Sequence, residues 1–361
     1  MTKSEIEILR TEIERIDAEI LDLVTRRQRV ASEIGLVKEK DGIPIRDRPR
    51  EKQVISNFVK TARTRGVDSV FAEILAELLI SDAVKVQKTK KDKDLIGKTA
   101  VVVGGSGRMG AWCCRRLSNR GANVKVWDPR GKLDGYPNLK SLGRDAKEAT
   151  LVVVASPLGA CPDDLKAVID IRPDGLVFDI CSVKSHIASQ LRSAAKEGIK
   201  VASAHPMFGP NIANPKGQNV LLCDCGSEKG FRLVKELFMG SDANIVQVSL
   251  DRHDELMAYV LGLSHLCSLV FAGTLARSGN ELTELRSVQG PSFSKLTRMA
   301  AELSKESTRV YHDIQALNPT TRRMFAEVEE VLREVRKASL DTNPVKFRRI
   351  IETNRNYLEV G

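Results

Sequence analysis

The sequence predicts a multidomain chain. An all-α helical bundle comes first, an α/β domain built on a doubly wound parallel sheet follows, and an all-α domain ends the chain. Three observations support this prediction. Apolar residues recur at helical spacing before residue 90, short β-branched runs alternate with helical stretches from about residue 99 to 250, and only helical patterns follow. The predicted bounds are 1–90 for the bundle, 91–98 for a charged linker, 99–250 for the sheet domain and 251–361 for the last helices.

Composition narrows the classes of protein to which the chain can belong. Its 361 residues suffice for two or three folded units, and 42% hydrophobic with 29% charged residues is ordinary for a soluble globular protein. The aromatic content of 4% argues against a base-stacking surface, so no nucleic-acid partner is expected. A net charge of +10 suits either polyanions or small anionic substrates.

Cysteines and the N-terminus give expectations about location. Seven cysteines, an odd number, occur without CxxC or Cys/His metal spacing, which predicts reduced thiols in the cytoplasm and no metal site. The charged N-terminus is unlike a signal peptide, and no apolar run approaches the roughly 18 residues that span a bilayer. We therefore expect a cytoplasmic protein without a membrane partner.

The bundle consists of three predicted helices, over residues 4–40, 49–65 and 68–88, with a turn at Gly42 and Pro44 after the first. Asp68 or Ser69 is expected to cap the third helix. The first helix is long and amphipathic. Because such a helix usually finds a partner chain to cover its apolar stripe, we expect a partner chain; that this partner is a second copy, in a homodimer, is implied by Arg10 and by the resemblance given below.

A glycine-rich turn follows the first predicted strand of the sheet domain, residues 99–103. The run Gly105-Ser106-Gly107-Arg108-Met109-Gly110 matches GxGxxG between a strand and a helix, the context in which this motif indicates dinucleotide binding and a Rossmann-like domain. Gly105 permits the tight turn, Gly107 lets a pyrophosphate approach the backbone, and Gly110 lets helix and strand pack closely. Further strands are predicted at 124–127, 151–155, 176–179, 201–204 and 220–223.

Asp128 ends the second predicted strand, 23 positions beyond Gly105, near the spacing at which a carboxylate accepts hydrogen bonds from the adenosine ribose. Its charge would repel a 2′-phosphate, so NAD is the predicted cofactor and NADP the less favoured one, with Arg130 close enough to soften the discrimination. Ser156, at the end of the next strand, joins the glycine-turn residues as a cofactor-binding candidate. Those turn residues include Arg108 and Met109.

Two further segments stand at predicted strand ends, where ligands of doubly wound sheets bind. They are Asp179-Ile180-Cys181-Ser182-Val183-Lys184 and His205-Pro206-Met207-Phe208-Gly209-Pro210. The pKa range of His205 suits it to take a proton from a hydroxyl as hydride leaves the carbinol carbon.

With the glycine turn, these segments resemble the prephenate dehydrogenase family from about Thr99 to the C-terminus. The resemblance implies oxidative decarboxylation of prephenate to 4-hydroxyphenylpyruvate with NAD. It implies that His205 is the hydrogen-bonding partner and proton acceptor of the ring hydroxyl, and that Ser182 lies beside His205 and the nicotinamide.

The same resemblance extends into the C-terminal helices. It implies that His265 points towards the substrate, whereas His253 and Asp254 are as consistent with a capping or interdomain pair as with a functional one. The family binds a substrate carboxylate with an arginine on a later helix. One match of the sequence puts Glu302 at that place and another puts Arg298 there, one helical turn away on the same face. Because a glutamate would repel a dianion, Arg298 is the predicted clamp.

Charged residues recur in a fixed order along the three N-terminal helices. Arg27 and Lys38 share a face of the first helix, 11 residues apart, while Arg10 points elsewhere and cannot serve the same site within one straight helix. By spacing alone, these are solvated charges on an amphipathic helix. The full ordered set is Leu9-Arg10, Ile16-Asp17, Arg26-Arg27, Lys38, Arg46-Asp47, Arg50-Glu51, Asp82 and Gln87. This set resembles the all-helical chorismate mutase family over residues 5–88 without a gap.

The second resemblance implies a pericyclic rearrangement, which needs charge placement and a compact substrate conformation but no nucleophile or general base. It implies that Arg27 and the partner's Arg10 hold carboxylates, with Arg50 beside them. It also implies that Lys38 and Gln87 face the ether oxygen, where negative charge develops as the bond breaks.

By the same resemblance Glu51 with Asp47 binds the hydroxyl, and Ala83 stands where some members carry a serine. The two resemblances support each other, because the product of the first reaction is the substrate of the second and both substrates are dicarboxylates. They predict a bifunctional chorismate mutase and prephenate dehydrogenase of tyrosine biosynthesis, with chorismate and prephenate as its substrates. The alternative is an arogenate or cyclohexadienyl dehydrogenase whose N-terminal bundle serves dimerisation without catalysis.

Overall fold

In the computed structural model the chain forms two compact units, Met1–Gly97 with Asn119–Gly121, and Lys98–Ser118 with Ala122–Gly361. The structure describes residues 3–41, 43, 46–88, 94–239, 243–304 and 307–359. The sheet and the C-terminal helices share the second unit, so the boundary predicted at residue 250 stays a prediction. Of the predicted linker, residues 91–93 lie outside the described residues, and 94–97 form a turn held by an ion pair between Asp94 and buried Arg120.

The first unit contains three helices, α1 (Lys3–Lys40), α2 (Arg48–Thr64) and α3 (Ser69–Lys88), as the sequence predicts. Of the two candidate caps for α3, Asp68 fills the role, because its carboxylate accepts a hydrogen bond from the backbone N–H of Phe71 at 2.8 Å. Small buried residues, Ala31, Ala72 and Ala76, let the helices approach closely. Along α1, apolar side chains such as Ile13 and Leu23 remain more than half exposed in this single chain.

The second unit is built on a seven-stranded sheet with the order β2-β1-β3-β4-β5-β6-β7. Its strands are β1 (Thr99–Val103), β2 (Asn123–Trp127), β3 (Leu151–Val154), β4 (Leu176–Asp179), β5 (Val201–Pro206), β6 (Asn219–Asp224) and β7 (Asn244–Ser249). The first five strands pair with one another in parallel, and all residues of β3, β4 and β5 are buried. This is the Rossmann-like sheet that the sequence predicts.

Two features of the sheet differ from the prediction. β6 runs antiparallel to β5, because the connection over residues 207–218 contains no helix and a parallel return needs a crossover. β7 was not predicted as a strand, since its residues are mostly exposed and show no buried apolar run. The prediction of a doubly wound parallel sheet is therefore confirmed for β1 to β5, whereas β6 is antiparallel and β7 was not predicted.

Helices connect the strands and then form the C-terminal region. The connecting helices are α4 (Arg108–Asn119), α5 (Gly143–Glu148), α6 (Cys161–Asp170), α7 (Ala188–Lys196) and α8 (Glu228–Met239). The C-terminal helices are α9 (Leu250–Met257), α10 (Ser264–Arg277), α11 (Leu282–Ser287), α12 (Pro291–Ser304), α13 (Thr308–Leu317), α14 (Thr321–Ser339) and α15 (Val345–Glu359). No strand follows β7 among the described residues.

A π-helical segment, Ala258–Leu263, joins α9 to α10 without a break. The widened turn frees a carbonyl group, and Gln315 donates a hydrogen bond to the backbone oxygen of Gly262 at 2.8 Å. The continuous stretch Leu250–Arg277 meets the length and composition of a membrane span. The expectation that no apolar run approaches the length of a membrane span is therefore wrong by length and composition. Core helices of soluble proteins also have this length and composition.

A buried ion pair lies where β4 ends. The Lys184 ammonium donates to Asp179 Oδ1 at 2.5 Å and to the Ala204 carbonyl at 2.8 Å, and the side chains of Lys184 and Asp179 are 0% exposed. Burial alone would lower the pKa of Lys184, but the Asp179 carboxylate raises it above its usual value. Lys184 is therefore charged, and each side chain of the pair depends on the other for its stability in the interior.

Replacing Lys184 with Met leaves the Asp179 carboxylate buried and uncompensated. We expect the free energy of unfolding of this unit to fall by about 3–5 kcal/mol. Urea titration followed by tryptophan emission measures it, because Trp112 and Trp127 both lie in this unit. Lys125→Met is the control, since its partner Asp145 is partly exposed, and a loss under about 1 kcal/mol is expected there. Equal losses in the two variants would contradict the prediction.

Candidate active sites

The glycine turn between β1 and α4 has the shape that a dinucleotide needs. Gly104 adopts a left-handed backbone with φ of +77°, and a Cβ on it would lie 2.8 Å from the backbone of Ser156. A Cβ on Gly110 would lie 2.1 Å from the Gly104 carbonyl oxygen, so only glycine lets the helix start so close to the strand. Gly107 and Arg108 are exposed at the start of α4, where backbone N–H groups can meet phosphates.

The tight turn is made by Gly104, whereas the sequence assigned it to Gly105. Gly105 is buried and packs against Val126 of β2, so its own requirement is close packing. The motif spacing alone did not separate these roles, because both glycines precede the helix. Met109, the other predicted contact of the turn, is half-buried in the first turn of α4.

Asp128 stands at the end of β2, where the ribose is predicted to bind. Its Oδ2 accepts hydrogen bonds from Ser106 N at 3.2 Å and Ser106 Oγ at 2.5 Å, and its Oδ1 accepts from Arg130 N at 3.0 Å. Burial acts to raise the pKa of Asp128, but these hydrogen bonds and the Arg130 charge lower it below its usual value. Asp128 is therefore an ionised acceptor that is held in place by the glycine turn itself.

Arg130 connects Asp128 to the end of β3. Its guanidinium lies 3.2 Å from Asp128 Oδ1 and donates to Asp164 Oδ2 at 2.8 Å. Ser156, a predicted cofactor contact, donates its hydroxyl proton to the same Asp164 oxygen at 2.5 Å. The Ser156 side chain is thus engaged on its own chain, and its place beside the glycine turn comes from the close approach to Gly104.

His205 lies near the carboxyl end of β5 and is 3% exposed. Its Nδ1 contacts His253 Nε2 at 3.0 Å, and His253 Nδ1 contacts Asp254 Oδ1 at 2.7 Å. Burial lowers the pKa of His205 well below its usual value, with the His253 ring and the Lys184 cation acting in the same direction. His205 is therefore a neutral imidazole at physiological pH, which is the protonation state of a general base.

The sequence left open whether His253 and Asp254 are a capping or interdomain pair or a functional one. The structure places both, buried, in α9, with Asp254 accepting hydrogen bonds from the backbone N–H groups of Lys184 and Ser185 at 2.8 and 2.7 Å. The pair thus joins α9 to the loop after β4 and also contacts His205. No spacing in the sequence signals this contact, because 48 positions separate His205 from His253.

The other predicted residues of this site lie around the same edge of the sheet or on the helices that follow. Ser182 is half-buried in the loop after β4, the strand next to β5. His265 on α10 packs edge-on against Tyr311 at 4.4 Å, and its buried Nδ1 has no hydrogen-bond partner among the described residues. Arg298 and Glu302 are both exposed on α12, and no described hydrogen bond or ion pair links either to His205, so the clamp stays a prediction.

Cysteine chemistry near this edge was not visible in the sequence spacing. Cys161, Cys181 and His186 place potential metal-ligating atoms within 4.8 Å of one another, and the two sulfur atoms are 3.0 Å apart. Both thiols belong to the hydrophobic core. The hydrogen bond with Cys161 and burial raise the pKa of Cys181 well above its usual value, so this thiol stays protonated and packs as a small apolar group.

The predicted mutase residues occupy the first unit. Arg27 is half-buried on α1 and donates to the Leu79 carbonyl of α3 at 2.5 Å, which fixes the guanidinium between the two helices. Lys38 is half-buried on the same face of α1, three turns later, and Arg10 is exposed. Gln28, beside Arg27, donates to Asp82 at 3.0 Å. The helix contact thus holds Arg27 in place.

The start of α2 carries the other mutase candidates. Asp47 caps the helix by accepting a hydrogen bond from Arg50 N at 3.0 Å, a role that the resemblance did not indicate. Glu51 is half-buried and lies 3.8 Å from Arg46, and its buried Oε1 accepts no hydrogen bond from the described residues. The side chain of Gln87 lies outside the described residues.

Three family models match the chain in succession. Residues 9–88 match chorismate mutase type II, residues 136–247 match the nucleotide-binding domain of prephenate dehydrogenase, and residues 249–353 match the dimerization domain of prephenate dehydrogenase. The second match begins after the glycine turn, so the geometry of that turn is independent support for a nucleotide site.

Individual relatives agree with these matches. The T-protein of Enterobacter agglomerans is 26% identical over 313 residues, which cover 86% of this chain and 82% of that protein. The chorismate mutase of Methanocaldococcus jannaschii is 31% identical over 80 residues, 22% of this chain and 81% of that protein.

A prephenate dehydrogenase from A. aeolicus, solved with hydroxyphenyl propionate and NAD+, has a TM-score of 0.58 at 19% identity, covering 73% of this chain and 99% of that one, so it shares the fold. The ordered matches then decide the family. This chain belongs to the family in which a type II chorismate mutase is joined to prephenate dehydrogenase.

Proposed function

We propose that this protein rearranges chorismate to prephenate and then decarboxylates prephenate oxidatively to 4-hydroxyphenylpyruvate with NAD, in tyrosine biosynthesis. The observation that carries the oxidative half is His205, a neutral, buried imidazole at the sheet edge to which the glycine turn also belongs. The chorismate mutase half is supported by the family match over residues 9–88 and by the charged side chains of that unit.

In the mutase reaction one carbon–oxygen bond breaks while one carbon–carbon bond forms, and no proton moves. The protein's task is to hold both carboxylates and to stabilise the charge that develops on the ether oxygen. Arg27, fixed against α3, is suited to one carboxylate, and Lys38 on the same face is suited to the ether oxygen. The partner's Arg10 and this chain's Arg50 complete the charge set, with Glu51 and Asp47 at the hydroxyl.

The residues around the glycine turn fit a dinucleotide, because the turn leaves no Cβ at Gly104 or Gly110 and Asp128 offers a fixed carboxylate to the ribose. When bound, NAD supplies the acceptor for the hydride that leaves the ring carbinol. His205 takes the hydroxyl proton as the carbonyl forms. The electrons of the bond to the leaving carbon dioxide then make the ring aromatic, and His205 returns the proton to the phenolate oxygen.

Substrate binding and assembly complete the proposal. Ser182 lies beside His205 and the nicotinamide, His265 offers its unpartnered Nδ1 to the substrate, and Arg298 binds a carboxylate. A homodimer is supported by the match of residues 249–353 to a dimerization domain and by the exposed apolar residues of α1. Work in the cytoplasm is supported by the seven free cysteines.

Two substitutions should separate the two activities in one chain. Lys38→Ala removes the cation at the ether oxygen, and we expect mutase kcat to fall by about 100-fold or more while dehydrogenase turnover of added prephenate is kept. His205→Asn should do the reverse. Each variant serves as the folding control for the other, because one activity should be kept in each. Both activities are measured in the same preparation, from chorismate loss and NADH absorbance.

Three results would count against the proposal. A wild-type enzyme that leaves chorismate unchanged would return the first unit to a bundle that serves dimerisation only. Retained prephenate oxidation in His205→Asn would remove the base. Faster turnover of arogenate than of prephenate with NAD would overturn the substrate assignment.

The choice between NAD and NADP should depend on Asp128. Asp128→Asn removes the charge that repels a 2′-phosphate and one of the two carboxylates that hold Arg130, which stays paired with Asp164, so the ratio of kcat/KM for NADP to that for NAD should rise by about tenfold or more. Asp145→Asn, which also removes one carboxylate from this unit, is the control. An unchanged ratio in Asp128→Asn would show that cofactor choice lies elsewhere.

The acid limb of dehydrogenase activity should lie below pH 6.5. Burial, His253 and Lys184 lower the pKa of His205, and the protonated imidazole cannot act as a base, so kcat should hold at pH 6.5 and fall only at lower pH. Steady-state rates at saturating prephenate and NAD from pH 5 to 8 test this. NAD binding, measured over the same range, excludes loss of the fold. Half-maximal kcat at or above pH 6.5 is incompatible with the neutral imidazole described here.

A further inference from the structure

We propose that His253 and Asp254 are positioning residues of the dehydrogenase site, which hold His205 in the tautomer whose Nε2 carries the lone pair. This inference rests on the proposed role of His205 as the base. The direction of each hydrogen bond in the series from Asp254 to His205 determines this tautomer.

Asp254 sets the direction at one end. Its carboxylate accepts backbone N–H groups, Lys184 N at 2.8 Å on Oδ1 and Ser185 N at 2.7 Å on Oδ2. A backbone N–H can only donate, so both oxygens act as acceptors. Burial acts to raise the pKa of Asp254, but the hydrogen bonds from His253, Ser185 and Lys184 lower it to about 2. The group is therefore a carboxylate at every pH where the enzyme works.

The next bond follows from the first. His253 Nδ1 lies 2.7 Å from Asp254 Oδ1, so Nδ1 must carry the hydrogen. Burial and the Lys184 cation lower the pKa of His253, although Asp254 and Asp179 act in the opposite direction. His253 is thus neutral, and a neutral imidazole that is protonated on Nδ1 has its lone pair on Nε2.

The last bond fixes His205. His253 Nε2, an acceptor, lies 3.0 Å from His205 Nδ1, so His205 must donate from Nδ1 and keep its lone pair on Nε2. This nitrogen is then the only one on His205 that can take a proton from the substrate hydroxyl. If His253 were charged, it would donate to His205, whose Nε2 would carry a hydrogen and could not act as a base.

The same arrangement helps after the proton has moved. The His205 cation formed during turnover keeps its Nδ1–H donated to His253, whose other nitrogen is held by the Asp254 carboxylate. The nearby Lys184 cation opposes a lasting charge on His205, which favours return of the proton to the phenolate oxygen. The charged groups that face the two rings are Lys184, Asp254 and Asp179.

The test uses the full-length enzyme with 15N-labelled histidine, which gives only five side chains to assign. Long-range 1H–15N correlations identify which ring nitrogen of His205 carries the hydrogen. In the wild type at pH 7.5 we expect the hydrogen on Nδ1. In His253→Leu, which removes the acceptor, we expect a shift towards the Nε2–H tautomer and a fall in dehydrogenase kcat of about 100- to 10 000-fold, with the KM for prephenate and NAD binding little changed.

Two further variants separate positioning from packing. His253→Gln keeps a carbonyl acceptor for His205 and N–H donors for Asp254, so it should restore the Nδ1–H tautomer and much of kcat. His312→Gln is the matched control, because His312 also bonds to the carboxylate of the next residue, Asp313, but its side chain is 73% exposed. It should change neither readout, and mutase activity should be normal in every variant.

A wild-type His205 with its hydrogen on Nε2 would overturn the inference, as would a His253→Leu enzyme with unchanged tautomer and kcat. Equal damage in His253→Gln and His253→Leu would assign His253 to packing alone. Failure of the proposed function has a different signature, namely prephenate oxidation retained in His205→Asn, whatever the tautomer.

Discussion

The buried Lys184 ammonium is the interaction on which the dehydrogenase site depends. The ammonium donates hydrogen bonds to Asp179 at the end of β4 and to the carbonyl of Ala204, the residue before His205 on β5. The backbone N–H of Lys184 donates to Asp254 of α9. One residue therefore joins two strands and a helix where the base must be placed. Because the ammonium is fully buried, it acts through a medium of low dielectric, and its charge reaches both imidazoles.

The Lys184 charge and the carboxylates around it have opposed effects that the site needs together. Asp254 and Asp179 act to raise the pKa of His253, and the cation acts with burial to lower it. Without Asp254, nothing would direct the hydrogen of His253 to Nδ1. Burial together with the cation thus keeps the rings neutral and the carboxylate orients them, so charge state and tautomer have different physical causes. Neither effect needs a residue that touches the substrate.

The edge of the sheet around Asp128 and Arg130, where we propose that the ribose binds, uses charged residues in another way. Asp128 and Asp164 share one arginine, Arg130, and their carboxylates also accept from Ser106 and Ser156. Arg130 keeps about a third of its side chain exposed, so solvent weakens these ion pairs. Here the contacts hold the Asp128 carboxylate, which is 3% exposed, against Ser106 of the glycine turn, whereas the contacts around Lys184 join charges that are 0% exposed.

The sequence predicted those features that have a pattern within a short stretch of residues, and missed those that depend on residues far apart in the chain. Local patterns located α1, α2, α3 and the first six strands, because periodicity and turn residues are properties of short windows. They missed β7, whose exposed residues carry no apolar pattern, and the reversal of β6, which depends on the connection before it. His205 was found from its place at a strand end. Its contact with His253 joins residues far apart in the chain, and no window contains both.

The mutase half raises a constraint that a single chain does not meet. Arg10 and Arg27 lie 17 residues apart on one continuous helix, about 25 Å along its axis, and Arg10 is exposed. A small dicarboxylate cannot reach both. Apolar side chains along the same stretch, Ile13 and Ile20 among them, are exposed. In the homodimer that we propose, a second α1 packed there in the opposite direction would cover the apolar residues and bring the partner's Arg10 towards Arg27. Burial of apolar surface and completion of the charge set then come from a single contact, so the mutase activity that we propose requires the dimer.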